Sequence, residues 1–145
     1  HLRHTQHVRT NKRHLTYLGL DALGGREVGT IVPADEDASP TCCAFSPDGK
    51  RVAGGLSNCN VGVWDTLFGS QLLTLSGHTR TINAVAFSPD GKFLLTASDD
   101  KTMKIWNAAT GEEIRTISGH DDGVSDCAWD DVGEVCQVCV CVSVV

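Results

Sequence analysis

Residues 77–120 open with Gly77-His78-Thr79-Arg80 and run through Phe87-Ser88-Pro89-Asp90-Gly91-Lys92, Ser98-Asp99-Asp100 and Ile105-Trp106-Asn107. They close on a second Gly-His pair, Gly119-His120. Gly77 and Gly119 stand 42 residues apart, and the same step carries Phe45-Ser46-Pro47-Asp48-Gly49-Lys50 onto its later copy and Trp64 onto Trp106. Three landmark pairs sharing one offset mark an internal repeat, and a period of about 40–45 residues is that of a unit that stacks on neighbours.

Within the unit the local signals are those of short strands joined by tight turns. Ile82-Asn83-Ala84-Val85-Ala86-Phe87 is short and mostly apolar, as expected of a strand buried on both faces. Ser88-Pro89-Asp90-Gly91 is a turn: Ser at its first position, Pro fixing φ at the second, Gly at the fourth. Strands are then expected over residues 93–98, 102–106 and 113–117, with Asn107-Ala108-Ala109-Thr110-Gly111 as the last tight turn. The earlier copy reads the same way: an inner strand at 42–45, then 52–56, 60–64 and 71–75.

With a Gly-His, a Ser-Pro-Asp-Gly turn and a Trp-Asp or Trp-Asn step per unit, the chain resembles the WD-repeat family. The resemblance covers most of the chain and is complete in residues 77–117. It implies an all-β fold, a fragment of a β-propeller with about three four-stranded antiparallel blades. Blades are expected at 41–75 and 81–117, half a blade at 15–32 and the start of another at 119–134. Residues 1–14 read as a basic arm, and residues 135–145, rich in Cys and Val, as an atypical tail. At 145 residues the chain holds roughly three and a half units, and closure takes about 4–8 blades. The expectation is therefore a piece of a longer propeller whose ring does not close. Its open edges would favour self-association.

Charge and composition narrow the function classes. The arm carries Arg3, Arg9, Lys12 and Arg13 without an acid, which leaves 8 basic against 18 acidic residues in the remainder, a net of −10. An acidic body disfavours nucleic acid as the main ligand, since phosphate binding needs clustered positive charge; the basic arm keeps that alternative open. No apolar run approaches the roughly 18 residues of a membrane-spanning helix. The seven cysteines form no regular framework and no signal-peptide pattern is present, so an intracellular setting, cytoplasmic or nuclear, is expected. His1, His4 and His7 on the arm and Cys136, Cys139 and Cys141 in the tail lack the complement of ligands a zinc site needs. No phosphate-binding loop follows Gly24-Gly25 or Gly54-Gly55. No cofactor or metal is expected.

His78, Ser98 and Asp100 contain the residue types of a hydrolase triad, yet Ser98 lacks a nucleophile-elbow pattern and nothing supplies an oxyanion hole. The family resemblance implies instead a structural hydrogen-bond network in which His78 bridges Asp100 and the Ser98 hydroxyl, and Ser98 reaches the Trp106 indole N–H. The corresponding places in the earlier unit hold Glu36, Leu56, Asn58 and Trp64. In the later unit His120 is followed by Val140 and Val142 where Ser98 and Asp100 would recur. For function the resemblance implies a non-enzymatic scaffold that docks other proteins or peptides on one rim of loops. The matching positions are Thr79, Arg80, Asp99 and Lys101, then Asn58, Cys59 and Asn60, then Asp121 and Asp122. Arg80 is the leading anchor, because arginine is enriched among interface hot spots. A propeller fused to a catalytic domain in a longer protein is the further alternative.

Overall fold

The fold was obtained as a computed structural model, which describes residues 7–11, 14–19, 26–35, 37–129 and 138–142. Thirteen strands make up the described secondary structure. A first sheet holds β1 (His7–Asn11), β2 (His14–Gly19) and β3 (Arg26–Ile31). The second is a four-stranded meander of β4 (Pro40–Phe45), β5 (Arg51–Leu56), β6 (Val61–Asp65) and β7 (Gln71–Leu75). The third repeats it with β8 (Ile82–Phe87), β9 (Phe93–Ser98), β10 (Met103–Asn107) and β11 (Glu113–Ile117). The last pairs β12 (Val124–Trp129) with β13 (Val138–Val142). All pairings are antiparallel, and the described strands make a partial propeller with no closed ring.

Two segments flanking the expected blades also carry strands. The arm 1–14 is not structureless throughout: β1 lies within it, pairs with β2 and packs against β4, so the first unit has three strands where two were expected. The tail holds β13, which pairs with the inner strand β12 through Trp129↔Val138 and Ala128↔Cys139. Its alternating Val and Cys supply β-propensity without any landmark residue, and pairing with an already placed strand is enough to recruit it. His1, His4, Glu36 and Cys136 lie outside the described residues.

The second and third sheets are copies in register as well as sequence. Both Ser-Pro-Asp-Gly turns close with the Ser hydroxyl accepting from the first residue of the next strand, Arg51 N–H or Phe93 N–H, at 3.0 Å. Gly49 (φ 71°) and Gly91 (φ 73°) take the left-handed conformation that other residues enter at a cost. A bulge falls at Val63/Trp64 in one sheet and Ile105/Trp106 in the other.

Core packing lies between sheets. Ile31, Ala38, Val52, Leu56 and Trp64 cluster on one face of the second sheet, while Val61, Val63, Ile82, Val85 and Trp106 cluster between the second and third. Ala97, Met103, Ile105, Val124 and Cys127 form the third cluster. Inner strands β4, β8 and β12 pack side by side. Their joints also repeat: Thr41 Oγ1 donates to the Ile82 carbonyl at 2.6 Å, and Asn83 Nδ2, one period later, donates to Val124 at 2.9 Å. Arg51 lies over the Phe87 ring, and Phe93 packs on Trp129 at the next joint. Outer strand β11 is mostly solvent-exposed, as a polar blade rim should be.

Candidate functional site: the buried polar network and the loop rim

Strand register decides which hydroxyl the tryptophan can reach. Trp106 pairs with Leu94, Lys104 with Thr96, and Met103 with Ala97 across β9 and β10. Thr96 is thus one diagonal step from Trp106, within reach of a long side chain. Ser98 stands a further two residues along, about 7 Å more. The Trp106 indole N–H accordingly donates to Thr96 Oγ1 at 3.0 Å, and His78 Nε2 lies 2.7 Å from the same oxygen. The expected place of Ser98 in the network is therefore corrected: Thr96 holds it. Ser98 sits at the mouth of the turn, where its hydroxyl donates to the carbonyls of Arg80 and Thr81 and accepts from the Asp100 N–H.

His78 Nδ1 lies 2.7 Å from Asp100 Oδ2, which also accepts the Thr79 N–H at 3.1 Å. Asp100 Oδ1 accepts from the Thr102 hydroxyl at 2.6 Å and the Thr102 N–H at 2.9 Å. Burial acting alone would raise the Asp100 pKa; hydrogen bonds from Thr102, His78 and the backbone of Thr79 and Thr102 outweigh it and hold the carboxyl at about 2. Burial lowers the His78 pKa, against the pull of Asp100. A neutral ring beside an ionised carboxylate fixes the proton on Nδ1. Nε2 is then the acceptor, so the Thr96 hydroxyl donates to His78 and accepts from Trp106. The chain runs from indole to hydroxyl to imidazole to carboxylate with every link satisfied.

This arrangement cannot act as a hydrolase triad. His78 is engaged at both nitrogens, Thr96 is fully buried, and Ser98, also fully buried, bonds to backbone carbonyls. The links of the network satisfy polar groups in the interior, where one left without a partner costs about 1–3 kcal/mol. Beside the network, nearly buried Lys104 donates from Nζ to Glu113 Oε1 at 2.7 Å and Thr116 Oγ1 at 2.8 Å. Gly77, preceding the histidine, is needed for close approach: a Cβ there would stand 3.1 Å from the far edge of the Trp106 ring.

Above this network the loops between sheets and within sheets converge. Arg80, Thr81, Asp99, Lys101, Asp122 and Gly123 line one cavity of about 530 Å³, and Cys59 from the neighbouring blade's turn completes it. Five of the expected rim residues, Cys59, Arg80, Asp99, Lys101 and Asp122, thus line one cavity. Lys101 and Cys59, one period apart, both adopt left-handed φ angles of 71° and 70°, so the two turns present their tips alike. Asn58 is not a free rim residue: its Nδ2 donates to Asp35 at 3.0 Å, and its Oδ1 accepts the N–H of Asn60. Thr79 spends its N–H on Asp100, and Asp121 is exposed beside the cavity lining. Asn83 escaped the sequence reading, though it fixes Asp99 by donating to Oδ1 at 2.7 Å. Its signal was a polar residue inside an otherwise apolar inner strand.

Among the described residues no helix is long and apolar enough to cross a membrane. The family profile for the WD domain, G-beta repeat, matches residues 26–65, 69–107 and 111–143. Each full match takes the outer strand of one sheet and the inner three of the next, which interlocks successive blades. Similar proteins include cell division cycle 20.1, cofactor of APC complex, from Arabidopsis thaliana, 42% identical over 65 residues (44% of this chain). The U5 small nuclear ribonucleoprotein 40 kDa protein of Pongo abelii is 44% identical over 43 residues (30% of this chain). A probable serine/threonine-protein kinase, PkwA, of Thermomonospora curvata is 42% identical over 54 residues (37% of this chain). The matched segments span 14%, 12% and 7% of those relatives' lengths. With repeat matches along most of its length and the blade register seen in its sheets, the chain belongs to the WD-repeat family.

Proposed function

We propose that the chain is a protein-docking module without catalytic activity of its own, and that partners seat on the rim where Arg80, Asp99, Lys101 and Asp122 meet. The observation that carries this reading is the convergence of four loops from three successive sheets on one open cavity, above a network that holds two of those loops rigid. Rigid loops cost less to order on binding, and an exposed arginine at the centre of such a surface is a favoured anchor. The names of two relatives, a cofactor of the APC complex and a small nuclear ribonucleoprotein component, support membership of multiprotein assemblies. The same likeness supports a cytoplasmic or nuclear location. The kinase relative favours a second reading, in which a segment of this kind serves a catalytic domain elsewhere in a longer protein.

The test is site-specific photo-crosslinking. A photoreactive residue at position 101, on the rim, should give discrete protein adducts in extract. The same residue at exposed Arg115 on outer strand β11 should not. Equal adducts from both positions, or adducts from 115 alone, would overturn the docking assignment.

A further inference from the structure

We propose that the rim cavity recognises a peptide segment carrying neighbouring side chains of opposite charge, an acidic one held by Arg80 and Lys101 and a basic one held by Asp99 and Asp122. The proposal rests on the docking reading and names the chemistry of its ligand. Two cations and two anions line the one cavity, delivered by separate loops: Arg80 before β8, Asp99 and Lys101 in the β9–β10 turn, Asp122 before β12. Among the described residues the ion pairs within 4.0 Å are His78–Asp100 and Lys104–Glu113, so none of these four charges is paired inside the protein.

The fold sets the places of Asp99 and of the Lys101 backbone. Asp99 is anchored through Asn83 and packs so tightly on Gly123 that a Cβ there would stand 2.9 Å from its carboxylate oxygen. Lys101 takes its left-handed place in a turn whose carboxylate, Asp100, is bonded to His78 and Thr102. The turn is thereby tied to the core, and the charges are preorganised without being neutralised. A ligand of one sign meets a like-charged pair as well as an opposite one, and gains little. A ligand of both signs pairs all four. The guanidinium of Arg80 adds the planar two-donor geometry that suits a carboxylate. Exposed pairs contribute roughly two- to five-fold each in affinity, so several together make a measurable preference.

The experiment is fluorescence anisotropy on the full chain with three labelled peptides of equal length. One contains adjacent Glu and Lys, one Glu only, one Lys only. The mixed peptide should bind about ten-fold more tightly than either other, with an advantage that shrinks as salt rises. Arg80→Ala should weaken the Glu-containing peptides and, by removing a like charge, tighten the Lys-only peptide slightly; Asp122→Ala should do the reverse. Both side chains are exposed, so the variants keep the fold, and near-ultraviolet circular dichroism checks it. Equal binding of the three peptides, no binding of the mixed one, or a preference undiminished when Arg80→Ala and Asp122→Ala are combined would overturn the proposal. If discrimination fails while rim crosslinking persists, the charge assignment falls and the docking reading stands; if crosslinking also fails, both fall.

Discussion

The sheets of residues 40–75 and 82–117 share strand lengths, turns and the position of the bulge, and differ in what lies against the tryptophan. In the later sheet the cross-strand pair beside Trp106 is Thr96 and Lys104. One period earlier the same register pairs Gly54 with Gly62. The consequence is visible in the indoles. Trp106 reaches a hydroxyl with its N–H, whereas Trp64 folds over the glycine, close enough that a Cβ on Gly62 would stand 2.2 Å from the ring. The Trp64 N–H is buried and has no hydrogen-bond partner among the described residues. Asn58 and Cys59 replace Asp100 and Lys101 in the turn. Around its tryptophan one blade therefore has apolar packing alone, and its copy has the same packing plus a satisfied polar chain. The difference teaches that the repeat conserves shape through its turns and inner strands, while the network is an addition that individual units can lack.

The largest expected effect that separates the two is at the tryptophans. Trp106→Ala should cost about 3–5 kcal/mol as a large-to-small core change, increased by orphaning the Thr96 hydroxyl. Chemical denaturation of the two alanine variants measures this, and Trp64→Ala, which breaks no hydrogen bond, should be the milder. A sharper version uses phenylalanine, which keeps an aromatic ring and removes only the N–H and one ring. Trp106→Phe should lose about 1–3 kcal/mol more than Trp64→Phe, because the latter also removes an unsatisfied buried donor. Equal losses would mean that the polar chain contributes nothing net.

Acid supplies a smaller, reversible probe. The folded pKa of Asp100, about 2, lies below the ordinary 3.8 of an aspartate, so its contribution is present at neutral pH and is lost as pH falls from about 4 toward 2. His78 is also lowered from 6.5, so the unfolded chain binds its proton first and stability declines as pH drops below about 6.5. Thermal unfolding between pH 7 and 5 should show a falling midpoint. His78→Gln should be less stable at pH 7 but lose the part of the slope that belongs to the imidazole.

The extent to which this could be read from residues alone follows from what repeats. The 42-residue step, the Ser-Pro-Asp-Gly turns and the tryptophans are local or periodic signals, and the strands from β4 to β12 lie where they indicate. The linking of His78, Asp100 and Trp106 came from the family resemblance, since the earlier unit holds Glu36 and Asn58 at the first two places. Ser98 and Thr96 were not distinguishable, because both are small hydroxyl residues on the same face of one strand, and only the cross-strand register says which faces the indole. The strands β1 and β13 carry no landmark, so pairing partners, which sequence order does not reveal, decide them. On the rim, Arg80, Asp99, Lys101 and Asp122 were visible as loop positions. The bond of Asn58 to Asp35 was not legible, because it spans 23 residues across a loop with no repeat counterpart.

Native-state amide hydrogen exchange, residue by residue, tests the contrast between the two blades most directly. Protection is expected to be greatest at Ala84–Phe87 and Leu94–Ala97, next to the satisfied network, and clearly weaker at the matching residues 42–45 and 52–55. Protection equal in both sheets, or greatest at residues 42–45, would contradict the claim that the buried polar chain is what makes one copy firmer than the other.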